Sequence, residues 1–122
     1  MSKRILVVED QEDNRQILRD LLASAGYAMC EAGDGEAGVV AAKTERPDLI
    51  LMDIQLPLLD GYEATRRIKA DPELKAIPII VVTSYALSGD EAKARAAGCD
   101  AYVTKPYSPR QLLAKIREFL PA

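Results

Sequence analysis

The chain has 122 residues, of which 48% are hydrophobic and 29% charged, and its net charge at pH 7 is -3. This length and composition predict one compact globular domain over residues 1–122 and exclude a disordered chain. The acidic balance disfavours nucleic-acid binding, and the longest apolar runs are too short for a membrane span or a signal peptide, so we expect a cytoplasmic protein.

Five short aliphatic segments alternate with helical patterns along the chain. Such segments, rich in β-branched residues and bounded by turn signals, predict strands. They read RILVVE at 4–9, YAMCEA at 27–32, DLILMD at 48–53, IPIIVVT at 77–83 and DAYVT at 100–104. The alternation predicts an α/β domain with five strands and five helices.

Two of the helices show a clear apolar face and clear ends. The residues that share these faces are Leu18, Leu21 and Leu22 in the first helix, and Leu112, Leu113, Ile116, Phe119 and Leu120 in the last. A serine followed three residues later by Gln or Glu predicts a capping box, at Ser108 for the last helix and at Ser88 for the fourth. Gly26 and Gly98 are expected to end helices.

The alternation also predicts how the strands are ordered. Short βα repeats require a parallel sheet with right-handed crossovers and helices on both faces. The most apolar strands, the first, third and fourth, should be central. The doubly wound, flavodoxin-like (βα)5 order 2-1-3-4-5 satisfies this condition and places a ligand crevice at the carboxyl ends of strands 1 and 3.

Polar side chains follow four of the predicted strands. Glu9 and Asp10 end the first strand, Asp53 the third, Thr83 with Ser84 the fourth, and Lys105 follows the fifth. Each residue alone is common turn or strand chemistry. Because they converge on one edge of one sheet, we interpret them together as a functional site.

Three carboxylates at one edge repel one another, by roughly 3 kcal/mol for a pair about 5 Å apart at an effective dielectric near 20. Hard oxygen ligands match a hard cation, and we expect partly hydrated Mg²⁺. Asp10 and Asp53 would ligate directly, a carbonyl just after Asp53 would add a third oxygen, and Glu9 would hold a metal-bound water. With the cation in place, Asp53 could attack phosphorus and form an aspartyl phosphate, while Lys105 and Thr83 bind the phosphoryl oxygens.

The chain contains no histidine, which excludes Ser-His-Asp chemistry and histidine-ligated zinc within it. Three alternatives stay open. A phosphatase of the haloacid dehalogenase type would need a second Asp where this chain has Gln55, a nucleotide or flavin module would need a glycine-rich loop after strand 1, and a scaffold of the same shape would signal without phosphate. Two cysteines, Cys30 and Cys99, are expected to be buried free thiols.

Four ordered motifs resemble the receiver domain of bacterial two-component response regulators, over almost the whole chain. They are VVED, LMDIQLPLLDG, VVTSYA and AYVTKP. Within that family the chain looks like the stand-alone kind, such as DivK and CheY, and leans towards DivK. The resemblance implies Mg²⁺ held by Asp10, Asp53 and the backbone carbonyl of Gln55, phosphorylation at Asp53, and contact between Lys105 and the phosphoryl group.

The resemblance also implies regulation and partners. Thr83 and Tyr102 would form a switch pair that changes the face made by helix 4, strand 5 and helix 5, and the bond from Lys105 to Pro106 would be cis. The donor would be a histidine kinase or a histidine phosphotransfer protein, and a downstream protein target would read the switch. The chain would act as a phosphoacceptor rather than an enzyme, apart from self-catalysed transfer and slow autodephosphorylation. The donor contact would lie around Asn14, Arg15, Leu18, Pro106 and Tyr107, and Gln55 and Tyr85 would flank the pocket.

Overall fold

A computed structural model describes residues 3–83 and 90–121, and within them five strands alternate with five helices. Ser84, Tyr85 and Ser88 lie outside the described residues. The elements are β1 (Arg4–Val8), α1 (Glu12–Ser24), β2 (Ala28–Ala32), α2 (Gly35–Glu45), β3 (Leu49–Asp53), α3 (Gly61–Ala70), β4 (Ile79–Thr83), α4 (Asp90–Ala97), β5 (Ala101–Thr104) and α5 (Pro109–Phe119).

All five strands pair in parallel, in the order β2-β1-β3-β4-β5. This confirms the predicted fold, and each strand is at most two residues shorter than its predicted segment. The chain order reverses between β1 and β3, whose register pairs Val8 with Met52. The carboxyl ends of β1 and β3 therefore lie side by side, at the switch point where ligands bind in open α/β sheets.

The sheet separates two hydrophobic layers. Helices α1 and α5 pack on one face through Leu18, Leu22, Leu112 and Ile116, whereas α2, α3 and α4 pack on the other. Every residue of β3 and β4 is buried, because both strands are central and covered on both faces. The burial of these aliphatic side chains fixes the strand ends that carry the polar residues.

The local signals predicted for α5 are present. The Ser108 hydroxyl accepts a hydrogen bond from the Gln111 N–H, and the Gln111 side chain accepts one from the Ser108 N–H. Gly26 and Gly98 follow α1 and α4 with φ of 89° and 106°, the left-handed conformation expected after a helix end. The capping box therefore sets the start of α5 immediately after the loop that follows β5.

Cys30 and Cys99 are both free thiols. Cys99 is buried as expected, but Cys30 is only half-buried because β2 is an edge strand of the sheet. Burial raises the pKa of both thiols above the ordinary value, which keeps them protonated and weakly reactive. Within the described residues, none of the helices is both long enough and apolar enough to cross a membrane.

Candidate functional site

The ends of four strands bring the predicted polar residues to one edge of the sheet. Glu9 and Asp10 follow β1, Asp53 ends β3, Thr83 ends β4, and Lys105 follows β5. The sheet continues beyond β1 and β5 by two backbone hydrogen bonds, from the Glu9 N–H to the Ala32 carbonyl at 3.0 Å and from the Lys105 N–H to the Thr83 carbonyl at 2.6 Å. The main chain thus holds both side chains at the sheet edge.

Three carboxylates form a close cluster at this edge. One carboxylate oxygen from each of Glu9, Asp10 and Asp53 lies within 4.8 Å of the other two. Glu9 and Asp53 are 3% and 7% exposed, whereas Asp10 is half-buried. Such burial of like charges is unfavourable unless cations or hydrogen-bond donors compensate them.

Lys105 supplies part of this compensation. Its Nζ lies 3.3 Å from Asp53 Oδ2 and 3.4 Å from Glu9 Oε1, so one ammonium bridges two buried carboxylates. Burial opposes protonation of Lys105, but the charges of Asp53 and Glu9 outweigh it and raise the pKa of the lysine. Lys105 therefore remains charged and available to bind an anion.

Asp10 belongs to the same cluster but is not one of the two carboxylates that Lys105 bridges. Desolvation, together with a hydrogen bond and charge repulsion from Glu9, raises the pKa of the Asp10 carboxyl above its ordinary value. A raised pKa means that the ionised carboxylate is disfavoured at this position. A divalent cation among these hard oxygens would reverse that preference, so the donor set fits Mg²⁺.

The other predicted site residues lie around this cluster. The Gln55 N–H donates to Asp53 Oδ1 at 3.2 Å, which restrains the Asp53 side chain, and the Gln55 side chain is exposed. Thr83 is fully buried at the end of β4, one position beyond Val82, which pairs with Asp53. Tyr102 is half-buried on β5 and packs on the layer of α2, α3 and α4.

A cavity of about 610 Å³ opens beside the cluster, between the sheet and helices α1 and α5. Asp53 and Lys105 form part of its wall, and apolar side chains form most of the rest. The peptide bond from Lys105 to Pro106 at its rim is cis, the isomer implied by the resemblance. Four residues expected to contact the phosphoryl donor line this cavity, namely Asn14, Leu18, Pro106 and Tyr107. Ile17 of α1, which was not among those expected, also lines it and is 60% exposed.

Arg15 was also expected to contact the protein that donates the phosphoryl group, but its side chain binds other residues of this chain. Its guanidinium donates to the Glu9 carbonyl oxygen at 2.7 Å and forms ion pairs with Glu12 and Glu31. Asn14 also has an internal partner, because its Nδ2 donates to Glu9 Oε1 at 3.1 Å. Sequence reasoning assigned both residues to a docking surface and missed these contacts, which depend on how α1 sits against the end of β1.

Gly61 is a further residue that sequence reasoning missed. A Cβ at this position would lie 2.1 Å from the Asp53 carbonyl oxygen and 2.8 Å from the Ile54 Cα. The start of α3 therefore rests directly on the main chain of Asp53. The available signal was the Asp60–Gly61 pair, because Asp60 caps α3 through the Glu63 N–H.

The model of the response regulator receiver domain family matches residues 5–117. The chain belongs to this family. Receiver domains are the signalling modules of two-component systems, so the match confirms the resemblance read from the four sequence motifs.

Individual relatives agree with the receiver assignment. The polar-differentiation response regulator DivK of Brucella anthropi is 43% identical over 120 residues, which cover 98% of each chain. The receiver domain of sensor histidine kinase PA1611 from Pseudomonas aeruginosa PAO1, solved with a magnesium ion coordinated in its active-site cleft, is 37% identical with a TM-score of 0.92 and full coverage of both chains. The phosphorylated cyanobacterial phytochrome response regulator RcpA is 30% identical with a TM-score of 0.84, covering 99% of this chain and 96% of that one.

Proposed function

We propose that this receiver domain accepts a phosphoryl group on Asp53 and acts as a single-domain response regulator over residues 1–122. The observation that carries the proposal is the position of Asp53: a buried carboxylate whose Oδ2 lies 3.3 Å from Lys105 Nζ and which shares a cluster with Glu9 and Asp10. A carboxylate in this position can present an oxygen to a phosphoryl group at the mouth of the cavity, and the Lys105 ammonium beside it can bind that phosphoryl group.

Asp10, Asp53 and the backbone carbonyl of Gln55 would ligate Mg²⁺, and Glu9 would order a water on it. When bound, this cation supplies neutralisation of phosphoryl charge. The receiver structure of PA1611, which contains magnesium in its cleft, supports this assignment.

The chain's own residues account for the transfer step. A carboxylate oxygen of Asp53 attacks phosphorus as the bond from phosphorus to the donor's imidazole nitrogen breaks, and the imidazole leaves with that electron pair. Lys105 and the Thr83 hydroxyl bind phosphoryl oxygens. Since these 122 residues contain no histidine, the phosphohistidine must lie outside them, on a histidine kinase or a histidine phosphotransfer protein.

The donor would dock on the mouth of the cavity between α1 and α5. Leu18, Pro106 and Tyr107 line that mouth next to Asp53, and exposed Ile17 extends the apolar surface along α1. A cytoplasmic location is part of the proposal, and the two free thiols, Cys30 and Cys99, are compatible with a reducing compartment.

Phosphorylation would be read on the face of α4, β5 and α5 by a downstream protein. In this proposal Thr83 moves towards the phosphoryl group and the ring of Tyr102 turns inward. Hydrogen exchange of β5 amides, measured with and without the phosphoryl group, tests this. We expect a phosphorylation-dependent change in the wild type that is lost in Tyr102→Ala, which has no ring to turn inward. An unchanged difference in Tyr102→Ala would remove Tyr102 from the switch.

The acceptor itself is tested with a small phosphodonor. We expect incubation with Mg²⁺ and acetyl phosphate to add one hydroxylamine-labile phosphoryl group, detected by intact-protein mass spectrometry. The adduct should be absent from Asp53→Ala and present in the matched control Asp13→Ala, because Asp13 is an exposed aspartate in the first turn of α1.

Three outcomes would reject the proposal in different ways. An adduct that persists in Asp53→Ala would place the acceptor elsewhere. Continuous turnover of unrelated phosphate esters would favour a phosphatase of the haloacid dehalogenase type. The same fold without any adduct would leave a phosphate-independent scaffold.

A further inference from the structure

Glu9 is the most deeply buried of the three clustered carboxylates, at 3% exposure. Its Oε2 accepts a hydrogen bond from the Gln11 N–H at 3.2 Å, and its Oε1 faces both Lys105 Nζ at 3.4 Å and Asn14 Nδ2 at 3.1 Å. A glutamate has one more rotatable bond than an aspartate, so holding its carboxylate in one place requires more contacts. Asn14 provides the only one of these contacts that comes from a helix.

The chemical nature of that contact matters for cation binding. The amide of Asn14 is a neutral donor, so it fixes the Glu9 carboxylate without cancelling its charge. A lysine or arginine at the same place would compete with a divalent cation. Asn14 therefore restrains Glu9 while the negative potential of the cluster is preserved.

Arg15, the next residue of α1, also restrains Glu9 without adding net positive charge near the cluster. Arg15 donates to the main-chain carbonyl of Glu9 at 2.7 Å, and its charge is balanced by Glu12 at 2.7 Å and Glu31 at 3.3 Å. Two residues at the start of α1 thus restrain Glu9. The neutral amide of Asn14 binds the Glu9 side chain, and the guanidinium of Arg15, whose charge is balanced by two glutamates, binds the Glu9 main chain. Neither contact reduces the negative charge of the three clustered carboxylates.

We propose that Asn14 is a positioning residue that holds the Glu9 carboxylate in the cluster of three carboxylates and thereby sets the affinity of that cluster for Mg²⁺. The proposal rests on the proposed function, because it assigns Mg²⁺ to that cluster. It differs from a docking role for Asn14, which would affect the protein donor and leave cation binding unchanged.

Calorimetric titration of Mg²⁺ into four proteins tests the proposal: wild type, Asn14→Leu, Glu9→Ala and the double variant. Leu matches Asn in shape and suits both the helix and the apolar cavity, but it cannot donate a hydrogen bond. We expect Asn14→Leu to weaken Mg²⁺ binding about tenfold, the lower end of the effect of losing a hydrogen bond in the outer shell of a metal site. In the Glu9→Ala background the same substitution should change affinity less than about twofold.

Gln16→Leu is the matched control, because Gln16 is an exposed amide on the same helix that contacts Asp20 and Arg19 rather than the cluster. A second readout is the Mg²⁺ dependence of acetyl phosphate labelling. Asn14→Leu should raise the Mg²⁺ concentration at half-maximal rate and leave the rate at saturation close to that of the wild type.

Three results would overturn the proposal. These are unchanged Mg²⁺ affinity in Asn14→Leu, an equal loss of affinity in both backgrounds, and loss of the folded state in both Asn14→Leu and Asn14→Ala without Mg²⁺, which would make the contact structural. If the wild type itself binds no Mg²⁺, the proposed function fails instead, so the two failures are distinguishable.

Discussion

Gly61 shows how one residue without a side chain determines the position of Asp53. Its Cα lies so close to β3 that an added Cβ would meet the Asp53 carbonyl oxygen at 2.1 Å, and real Cβ contacts do not come under 3.0 Å. The neighbouring atoms belong to the main chain and cannot rotate away. Either α3 or the end of β3 would have to move, and the carboxylate would move with it.

We therefore expect Gly61→Ala to lower the free energy of unfolding by about 2 kcal/mol, the usual range for overpacking. It should also slow acetyl phosphate labelling of Asp53 at least tenfold, because Asp53 no longer faces Lys105 correctly. Urea unfolding and mass spectrometry measure the two effects. Gly33→Ala is the control, because a Cβ there would make only an ordinary contact with Arg15 at 3.5 Å; equal behaviour of the two variants would contradict this account.

At the scale of elements, α5 depends on its first turn. The Ser108–Gln111 capping box starts the helix just after the loop that carries Lys105, and the apolar side chains of α5 then pack on the sheet. The N-cap hydrogen bond satisfies an amide that the helix leaves unpaired. The loop and the helix are therefore stabilised together.

Ser108→Ala should lower the free energy of unfolding by about 1 kcal/mol, the typical value for loss of an N-cap. Urea denaturation monitored by far-UV circular dichroism measures the change. Ser24→Ala serves as the control, because the Ser24 hydroxyl donates only to the Leu21 carbonyl in the exposed last turn of α1. A loss in Ser108→Ala no larger than in Ser24→Ala would show that the capping box does not stabilise α5.

The same elements show what sequence patterns can and cannot predict. Strand order followed from the apolar character of β1, β3 and β4, since a central parallel strand must be buried on both faces. The convergence of Glu9, Asp53 and Lys105 then followed from topology, because parallel strands end at the same edge. By contrast, the Asn14–Glu9 contact and the approach of Gly61 to Asp53 depend on distances of a few ångströms between a helix and a strand, which residue periodicity does not encode.

At the scale of the whole molecule, the acidic cluster links stability to cation binding. In the absence of a cation, the carboxylates repel one another, and the raised pKa of Asp10 reports that its ionised form is disfavoured in the fold. A carboxyl with a raised native pKa binds more protons in the folded state than in the unfolded state, so its ionisation costs stability at neutral pH. A cation that binds only the folded state offsets this cost.

Asp10→Asn should therefore raise the free energy of unfolding by about 1 kcal/mol at pH 7 in EDTA, the repulsion between unit charges about 5 Å apart in a largely hydrated setting. Mg²⁺ at about 100 times its Kd should stabilise the wild type by about 2.7 kcal/mol and the variant far less, because one ligand is lost. Urea titrations with and without Mg²⁺ measure both effects, with Asp13→Asn as the control, an exposed aspartate in the same helical turn as Asn14 and Arg15. A variant less stable than the wild type in EDTA would show that Asp10 does not repel its neighbours. A variant that Mg²⁺ stabilises as much as it does the wild type would show that Asp10 does not ligate the cation.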